Sequence, residues 1–462
     1  MNFEEAKKLD ERFVMPTFKR KDVMLVEGKG VEVTDSEGKK YKDFIAGIGA
    51  YSLGHCHPSV VRSVQKQAEK LIHVSNYYYI EHRGEVAKMI SDMGNECVPK
   101  FFSAPWKTFF ANSGAEANEC AIKLARLYSK KEGHGGQVII TLDNSFHGRT
   151  LATLAATAQP AKQEAFAPMP DGFVHVPMND LGALKQAIVE NDGLIAAVMV
   201  ECIQGESGVH PCDPDYLVDV MKLARQAGFL VIADEVQTGF YRCGTYPFAF
   251  QGMGFTPDIF TMAKGIASGF PMGACAARIE VADAFEPGDH GSTFGGSNLA
   301  MAAAQATLET LMTESFGERV AKMGAYFVDK LATIESFVSI RGAGLMLAVD
   351  LEEDLSAPAV VDAALEAGFL LNATGPHTLR FLPPLTIEKI DIDDLIDAFP
   401  GIIEAARVAQ AEAVAAAQAE AAGEPESAEN KVEEALEAEA ALAAEKLIEE
   451  DAQAAAEGDE TE

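Results

Sequence analysis

Lys264 stands alone in an otherwise uncharged stretch, TMAKGIASGFPMG, at residues 261–273. A primary amine can bond a carbonyl once its proton is withheld, and desolvation lowers its pKa toward that state. Taken singly, the residue is an ordinary snorkelling lysine with a buried stem and a wet head. Four other segments change its meaning. In FFANSGAEAN, Ser113, Gly114 and Ala115 open a helix whose free N–H groups and dipole can grip an anion. The chain has neither GxxxxGK[ST] nor GxGxxG, so the natural guest is a single phosphate rather than a nucleotide. In NSFHGR, Phe146 can stack on a flat ring and Arg149 can clamp a carboxylate. VECIQGE contributes Glu201 and, one turn on, Gln204 and Glu206. In VIADEVQTG, Asp234 ends a wholly apolar run, where a carboxylate is costly without a cation. That cation is either a neighbouring Arg or Lys or a protonated ring nitrogen.

A phosphate cradle, a stacking aromatic, a carboxylate for a pyridinium and an isolated lysine together describe pyridoxal 5′-phosphate held as a Schiff base on Lys264. The elements needed to position them follow from the apolar pattern. Short β-rich runs such as QVIITLD, IAAVMV, FLVIA and PDIFTM alternate with helical segments such as EANECAIKLARLYSKK and DYLVDVMKLARQA. This alternation predicts βαβ units and a large α/β domain with a mostly parallel, buried sheet. In such a sheet, ligands bind beyond the carboxyl ends of the strands, where all five segments fall. The expected organisation is an N-terminal segment over residues 1–45, a large domain over 46–290 and a smaller α+β domain over 291–403. An acidic Ala/Glu-rich tail, expected to be mobile, follows over 404–462.

The net charge of −32, about half of it beyond residue 410, argues against nucleic acid or an anionic membrane as partner. No run of about 18 apolar residues suggests a membrane span, and the charged start, MNFEEAKKLDERF, is unlike a secretory signal. Seven scattered cysteines without a CxxC pair suit free thiols and a cytoplasmic location. His55-Cys56-His57 cannot enclose a tetrahedral metal by itself, and Pro58 marks a helix start, so no metal is expected.

The motifs FFANSGAEANECAIKLAR, NSFHGRT, VECIQGESGV, VIADEVQTGF and MAKGIASGFPMGA resemble the class-III pyridoxal-phosphate-dependent aminotransferases of fold type I, over about residues 15–403. LGHCHPSVV with SNYYY, PGDHGSTFGG and GFLLNATGPHTLRFLPPLTI are similar to the branch of that class acting on N-acetylornithine. The resemblance implies phosphate contacts from Ser113, Gly114 and Ala115. It also implies Phe146 and Val236 on the two faces of the ring, Asp234 on its nitrogen, Gln237 at its hydroxyl and Lys264 as covalent anchor. Thr293 would reach the phosphate of a neighbouring subunit in a homodimer, with Ser292 beside it contacting substrate. Arg149 would hold the carboxylate remote from the reacting amine. Arg380 would take the α-carboxylate of glutamate, and Glu206 would mask Arg380 for the other donor.

The implied reaction carries the terminal amine of N-acetylornithine to 2-oxoglutarate. Succinylornithine, ornithine, 4-aminobutyrate and a lysine-pathway amine stay open as donors, although Glu32 stands where ornithine enzymes carry an aromatic contact. An aminomutase on the same fold would consume no 2-oxoglutarate, and a non-catalytic scaffold would bind no cofactor. Ser268 replaces a glycine common in the family, and Ser297-Asn298 replaces Asn-Pro.

Overall fold

Alternate residues of one strand face opposite sides of a sheet, and here both sides are apolar. Val198 and Val200 join one buried cluster, while Ala197 and Met199 join another. Val231 and Ala233 divide from Leu230 and Ile232 in the same way. A strand that is apolar on both faces has to be covered on both, which is why these runs read as continuous rather than alternating. Each fully buried Val or Ile contributes about 1.5–3 kcal/mol.

The computed structural model describes residues 2–97 and 103–422 of the chain. The part of the expected acidic tail beyond residue 422 lies outside the described residues. Its beginning belongs to a helix, Lys389–Ala422, with Pro400 inside it. Residues 1–407 cohere as one compact unit. Among the described residues, no helix is long and apolar enough to cross a membrane.

The central sheet has seven strands: β1 (Trp106–Ala111), β2 (Val138–Leu142), β3 (Phe173–Val176), β4 (Ile195–Val200), β5 (Leu230–Asp234), β6 (Ile259–Met262) and β7 (Gly273–Arg278). Their order is β1-β7-β6-β5-β4-β2-β3. Neighbours from β6 through β3 are parallel, and β7 runs antiparallel to both β6 and β1. The carboxyl ends of β1, β2, β4, β5 and β6 therefore share one edge, where β7 begins. The helix Gly114–Lys131 returns from β1 across the sheet. Ser113 caps it by accepting from the Glu116 N–H, and Lys130 and Lys131 complement its dipole at the far end.

A second sheet pairs Phe337–Ala343, Met346–Leu351, Thr378–Phe381 and Asn372–Ala373. Within it, Arg380 lies opposite Ala348 on one side and Asn372 on the other. The N-terminal strands Leu25–Lys29, Glu32–Asp35 and Lys40–Asp43 are completed by Phe369–Leu370. After them, Ala46, Gly47, Ile48 and Gly49 all have positive φ, between 47° and 75°. This costs about 1–2 kcal/mol for each non-glycine residue. Asp43 holds the turn by accepting, through Oδ1, from the Ile45 and Ala46 N–H groups at 2.8 Å.

The sheet edge is assembled so closely that a β-carbon on Gly273 would lie 2.1 Å from the Ser113 carbonyl oxygen. Gly273→Ala is accordingly expected to cost about 1–3 kcal/mol, in the range of overpacked cores. Gly291→Ala, with no neighbour within 4 Å, should be close to neutral. Thermal denaturation of the two variants side by side checks this, and equal melting temperatures would contradict it.

Candidate active site

A cavity of about 400 Å³ opens at the shared strand edge, lined by residues that follow β1, β2, β4, β5 and β6. A larger, mainly apolar groove of about 780 Å³ lies between residues 3–25 and the Val361–Leu371 segment; its charged side chains, among them Lys7, Asp10, Arg20 and Lys21, come from the N-terminal segment, and none of the strand-end residues lines it. The chemistry therefore belongs to the smaller cavity.

Its floor is Asp234, the last residue of β5, almost wholly buried. Oδ2 accepts from Asn118 Nδ2 at 2.8 Å and pairs with His147 Nδ1 at 2.8 Å. Oδ1 accepts from the Val236 N–H at 3.0 Å. Asn118 Nδ2 also reaches the His147 carbonyl oxygen at 2.7 Å, fixing the loop after β2 to the helix after β1. Burial pulls the His147 pKa down, but the hydrogen bond and charge of Asp234 outweigh it and the value is raised. His147 Nε2 is buried without a partner among the described residues. Glu201, directly after β4, accepts from the Phe146 N–H at 2.9 Å. Burial and the nearby Asp234 charge push its carboxyl up to about 7, against the pull of His147.

Lys264 follows β6 in a short turn, with a strained φ of 45°. Among the described residues its ammonium makes no hydrogen bond or ion pair. Burial, helped by the Arg380 charge, lowers its pKa to about 8, and Glu206, Asp234 and Glu201 oppose the shift. Ser268, where the sequence resemblance anticipates glycine, also has positive φ, at 44°. Its hydroxyl compensates by accepting from the Leu53 N–H at 3.2 Å. The glycine-rich sequel to the lysine holds a tyrosine, since a β-carbon on Gly269 would lie 2.3 Å from Tyr51.

On the opposite wall, Arg380 donates to Glu206 Oε1 at 2.7 Å, to Gln237 Oε1 at 3.2 Å, to the Gly205 carbonyl at 3.0 Å and to Asn372 Oδ1 at 2.8 Å. Gln237 Nε2 also donates to Glu206 Oε1, at 3.0 Å. Burial opposes the ionised carboxylate, yet Arg380 and Lys264 bring the Glu206 pKa down to about 2. A β-carbon on Gly205 would lie 1.9 Å from Gln237 Oε1, so a larger residue there would push the Gln237 amide from its present position. Ser113, Gly114, Ala115 and Val236 complete the inner wall, and Gly114 leaves no space for a β-carbon beside Val236. Phe146 and Arg149 stand at the mouth.

The fold thus gathers the sequence-predicted site residues into the lining of this cavity, except Gln204, Arg380, Ser292 and Thr293; Arg380 is bonded to its wall, and Gln204 Nε2 instead donates to the Asp143 carbonyl at 2.9 Å. Ser292 and Thr293 line a separate depression of about 910 Å³ with Tyr77 and Tyr79. Asn112 joins the two, lining the first cavity while donating to Ser292 Oγ at 3.1 Å. Sequence reasoning left Asn118 and His147 without roles. Asn118 is four residues beyond Gly114 and so shares its helix face, and His147 adjoins Phe146; both signals were available.

The chain is similar to known proteins over most of its length. The model of the class-III aminotransferase family matches residues 16–403. An acetylornithine aminotransferase of Methanothermobacter thermautotrophicus is 46% identical over 407 residues, covering 87% of this chain and 99% of the relative. One from Listeria innocua is 42% identical over 397 residues, covering 85% and 98%. Among solved structures, the acetylornithine aminotransferase of Elizabethkingia anophelis matches with a TM-score of 0.74 at 32% identity, over 87% of this chain and 99% of that one. The ornithine aminotransferase of Toxoplasma gondii matches with a TM-score of 0.80 at 32% identity, over 89% and 96%.

The lowered pKa of Lys264 has a sign that stability can read. With about 8 in the folded chain and 10.5 unfolded, burial of the ammonium is a full penalty below pH 8. The penalty is relieved as pH rises through that window, because the unfolded chain then holds the extra proton. Ligand-free Lys264→Met should melt above the wild type at pH 7, with the gap closing between about pH 8 and 10.5. A gap independent of pH would show that the amine is not perturbed.

Proposed function

The chain belongs to the class-III aminotransferases, and we propose that it moves the terminal amine of N-acetylornithine to 2-oxoglutarate. The products are N-acetylglutamate 5-semialdehyde and glutamate, a step of arginine biosynthesis. The observation that carries a two-substrate transfer is the Arg380–Glu206 pair beside Lys264. The names of the relatives support the acylated donor.

The cofactor is pyridoxal 5′-phosphate, and the residues present fit it. A buried carboxylate braced by His147 and Asn118 suits a pyridinium nitrogen. An amine free of partners suits covalent attachment, and a capped helix N-terminus suits a phosphate. When bound, the cofactor supplies an electron-withdrawing ring that acidifies the substrate carbon bearing the amine. Ser113, Gly114 and Ala115 would hold its phosphate, Phe146 and Val236 its faces, Asp234 its nitrogen and Gln237 its hydroxyl.

Lys264 Nζ takes the proton from the amine-bearing carbon of the donor and, in the second half of the reaction, delivers one to the carbon of 2-oxoglutarate that receives the amine. A pKa near 8 leaves enough neutral amine for this at neutral pH. Arg149 holds the carboxylate far from the reacting end. With Glu206 on Arg380, the inner wall presents no free cation to the uncharged chain of the acylated donor. The α-carboxylate of glutamate displaces Glu206 and takes Arg380 instead. Displacement also frees Gln237, which shares both partners.

A homodimer with shared sites forms part of the same proposal. Tyr77, Tyr79 and Phe294 are 94%, 103% and 61% exposed around the depression that carries Thr293, more aromatic surface than a monomer ordinarily leaves wet. A cytoplasmic location agrees with seven cysteines that are all free thiols.

Two experiments test this reading. In a half-reaction panel, N-acetylornithine should bleach the cofactor absorbance faster than N-succinylornithine, ornithine or 4-aminobutyrate, and steady-state turnover should consume 2-oxoglutarate. Lys264→Ala should abolish turnover. No bleaching with N-acetylornithine would remove it as donor. Separately, inactive Lys264→Ala mixed with Thr293→Ala at limiting cofactor should regain activity, because each hybrid dimer holds one intact site. No recovery would place Thr293 outside its neighbour's site.

A further inference from the structure

Beside Phe146, which lines the cavity, stands a second cation that the reaction above does not use and that is not itself part of the lining. Lys162, in the short helix Pro160–Gln163, places its ammonium 5.9 Å from the centroid of the Phe146 ring. The guanidinium of Arg149 stands 5.6 Å from the same centroid. Lys162 is tethered there, since it donates to Gln159 Oε1 while Gln159 Nε2 donates to the Ser145 carbonyl at 2.9 Å. Among the described residues, neither cation has a carboxylate partner. The acidic charge that Lys162 does feel is Glu206, which is bonded to Arg380. Burial first, and the Arg149 charge second, lower the Lys162 pKa, in keeping with two cations beside one aromatic ring.

We propose that Lys162 is a specificity-determining residue, forming with Arg149 a two-cation site that accepts a carboxylate and turns away a free α-ammonium. This rests on the reaction proposed above and deepens it. Both substrates of that reaction bring a carboxylate with no charged amine beside it to the mouth. N-acetylornithine does so because its α-nitrogen is an amide, and 2-oxoglutarate because its distal carboxylate follows a methylene. Free ornithine has an ammonium on the very carbon that bears its carboxylate. Seating that carboxylate between Arg149 and Lys162 forces a like charge against them, and one cation fewer would tolerate it better. The acyl group thus acts by abolishing a charge as well as by filling space.

The test compares wild type, Lys162→Gln and Lys162→Arg, each checked for an unchanged melting temperature. Half-reaction kcat/KM is measured for N-acetylornithine and ornithine, and the Kd of glutarate, a non-reacting dicarboxylate, is measured by calorimetry. Lys162→Gln should lose about fivefold on N-acetylornithine while ornithine holds or improves, the scale of one partly solvated charge. Glutarate should bind correspondingly more weakly, and Lys162→Arg should retain the wild-type ratio. Equal losses on both donors, or unchanged ratio and glutarate affinity, would overturn the proposal. If the wild type itself ignores N-acetylornithine, the donor assignment fails; glutarate binding then judges the two-cation site, and an unchanged Kd in Lys162→Gln overturns it.

Discussion

A carboxylate at the end of a buried apolar strand is tolerable only when its lone pairs are satisfied, and Asp234 imposes that demand on everything around it. The loop after β2, the helix after β1 and the backbone after β5 each send it one donor, from His147, Asn118 and the Val236 N–H. Three segments distant in sequence are thereby pinned to one point. Phe146, Arg149, Ser113 and Gly114 inherit their positions from those same segments. Removing the carboxylate would strand two buried donors as well as take a charge from the site.

Above that anchor, the charges are arranged so that one pair can be exchanged. Asp234 is enclosed by fixed donors, whereas Glu206 and Arg380 meet at the edge of a cavity that an anion can enter. In the proposed reaction Arg380 would stay in place as Glu206 leaves, because Asn372 and the Gly205 carbonyl would still hold it. A fixed cation with a removable mask is the simplest electrostatic means of accepting both a carboxylate and an uncharged chain at one place. Burial lowers the Lys264 pKa to about 8, while the two members of this pair push it in opposite directions.

Close backbone approach makes this possible, and glycine is used where it is unavoidable. Gly273 leaves no volume for a β-carbon against the Ser113 backbone, and Gly269 makes way for Tyr51. Strain is nonetheless carried by other residues as well. Lys264 and Ser268 both occupy the left-handed region, and so do Ala46 and Ile48 at the turn before the cavity wall. The Ser268 hydroxyl and the Asp43 carboxylate supply hydrogen bonds that hold these conformations.

The βαβ alternation, the buried parallel sheet and the chemical kind of the site were legible in the sequence, because strands apolar on both faces and polar residues at their ends leave few arrangements. Lys264, Asp234 and Phe146 could be singled out as residue types at strand ends without any knowledge of neighbours. The pairing of His147 with Asp234 could not be read the same way: its place beside Phe146 was a signal that it lies near the site, but not that its ring meets the buried carboxylate rather than water. Nor could Lys162, which lies in a four-residue helix begun by Pro160, too short to show a periodicity that would betray which way it points. Composition and local pattern determine which groups reach the edge of the sheet, because burial and backbone geometry are local constraints. Which of those groups meet within 3 Å, and which cation is left without a partner, is decided by crossings between segments far apart in the chain, where only the tertiary packing sets the distances.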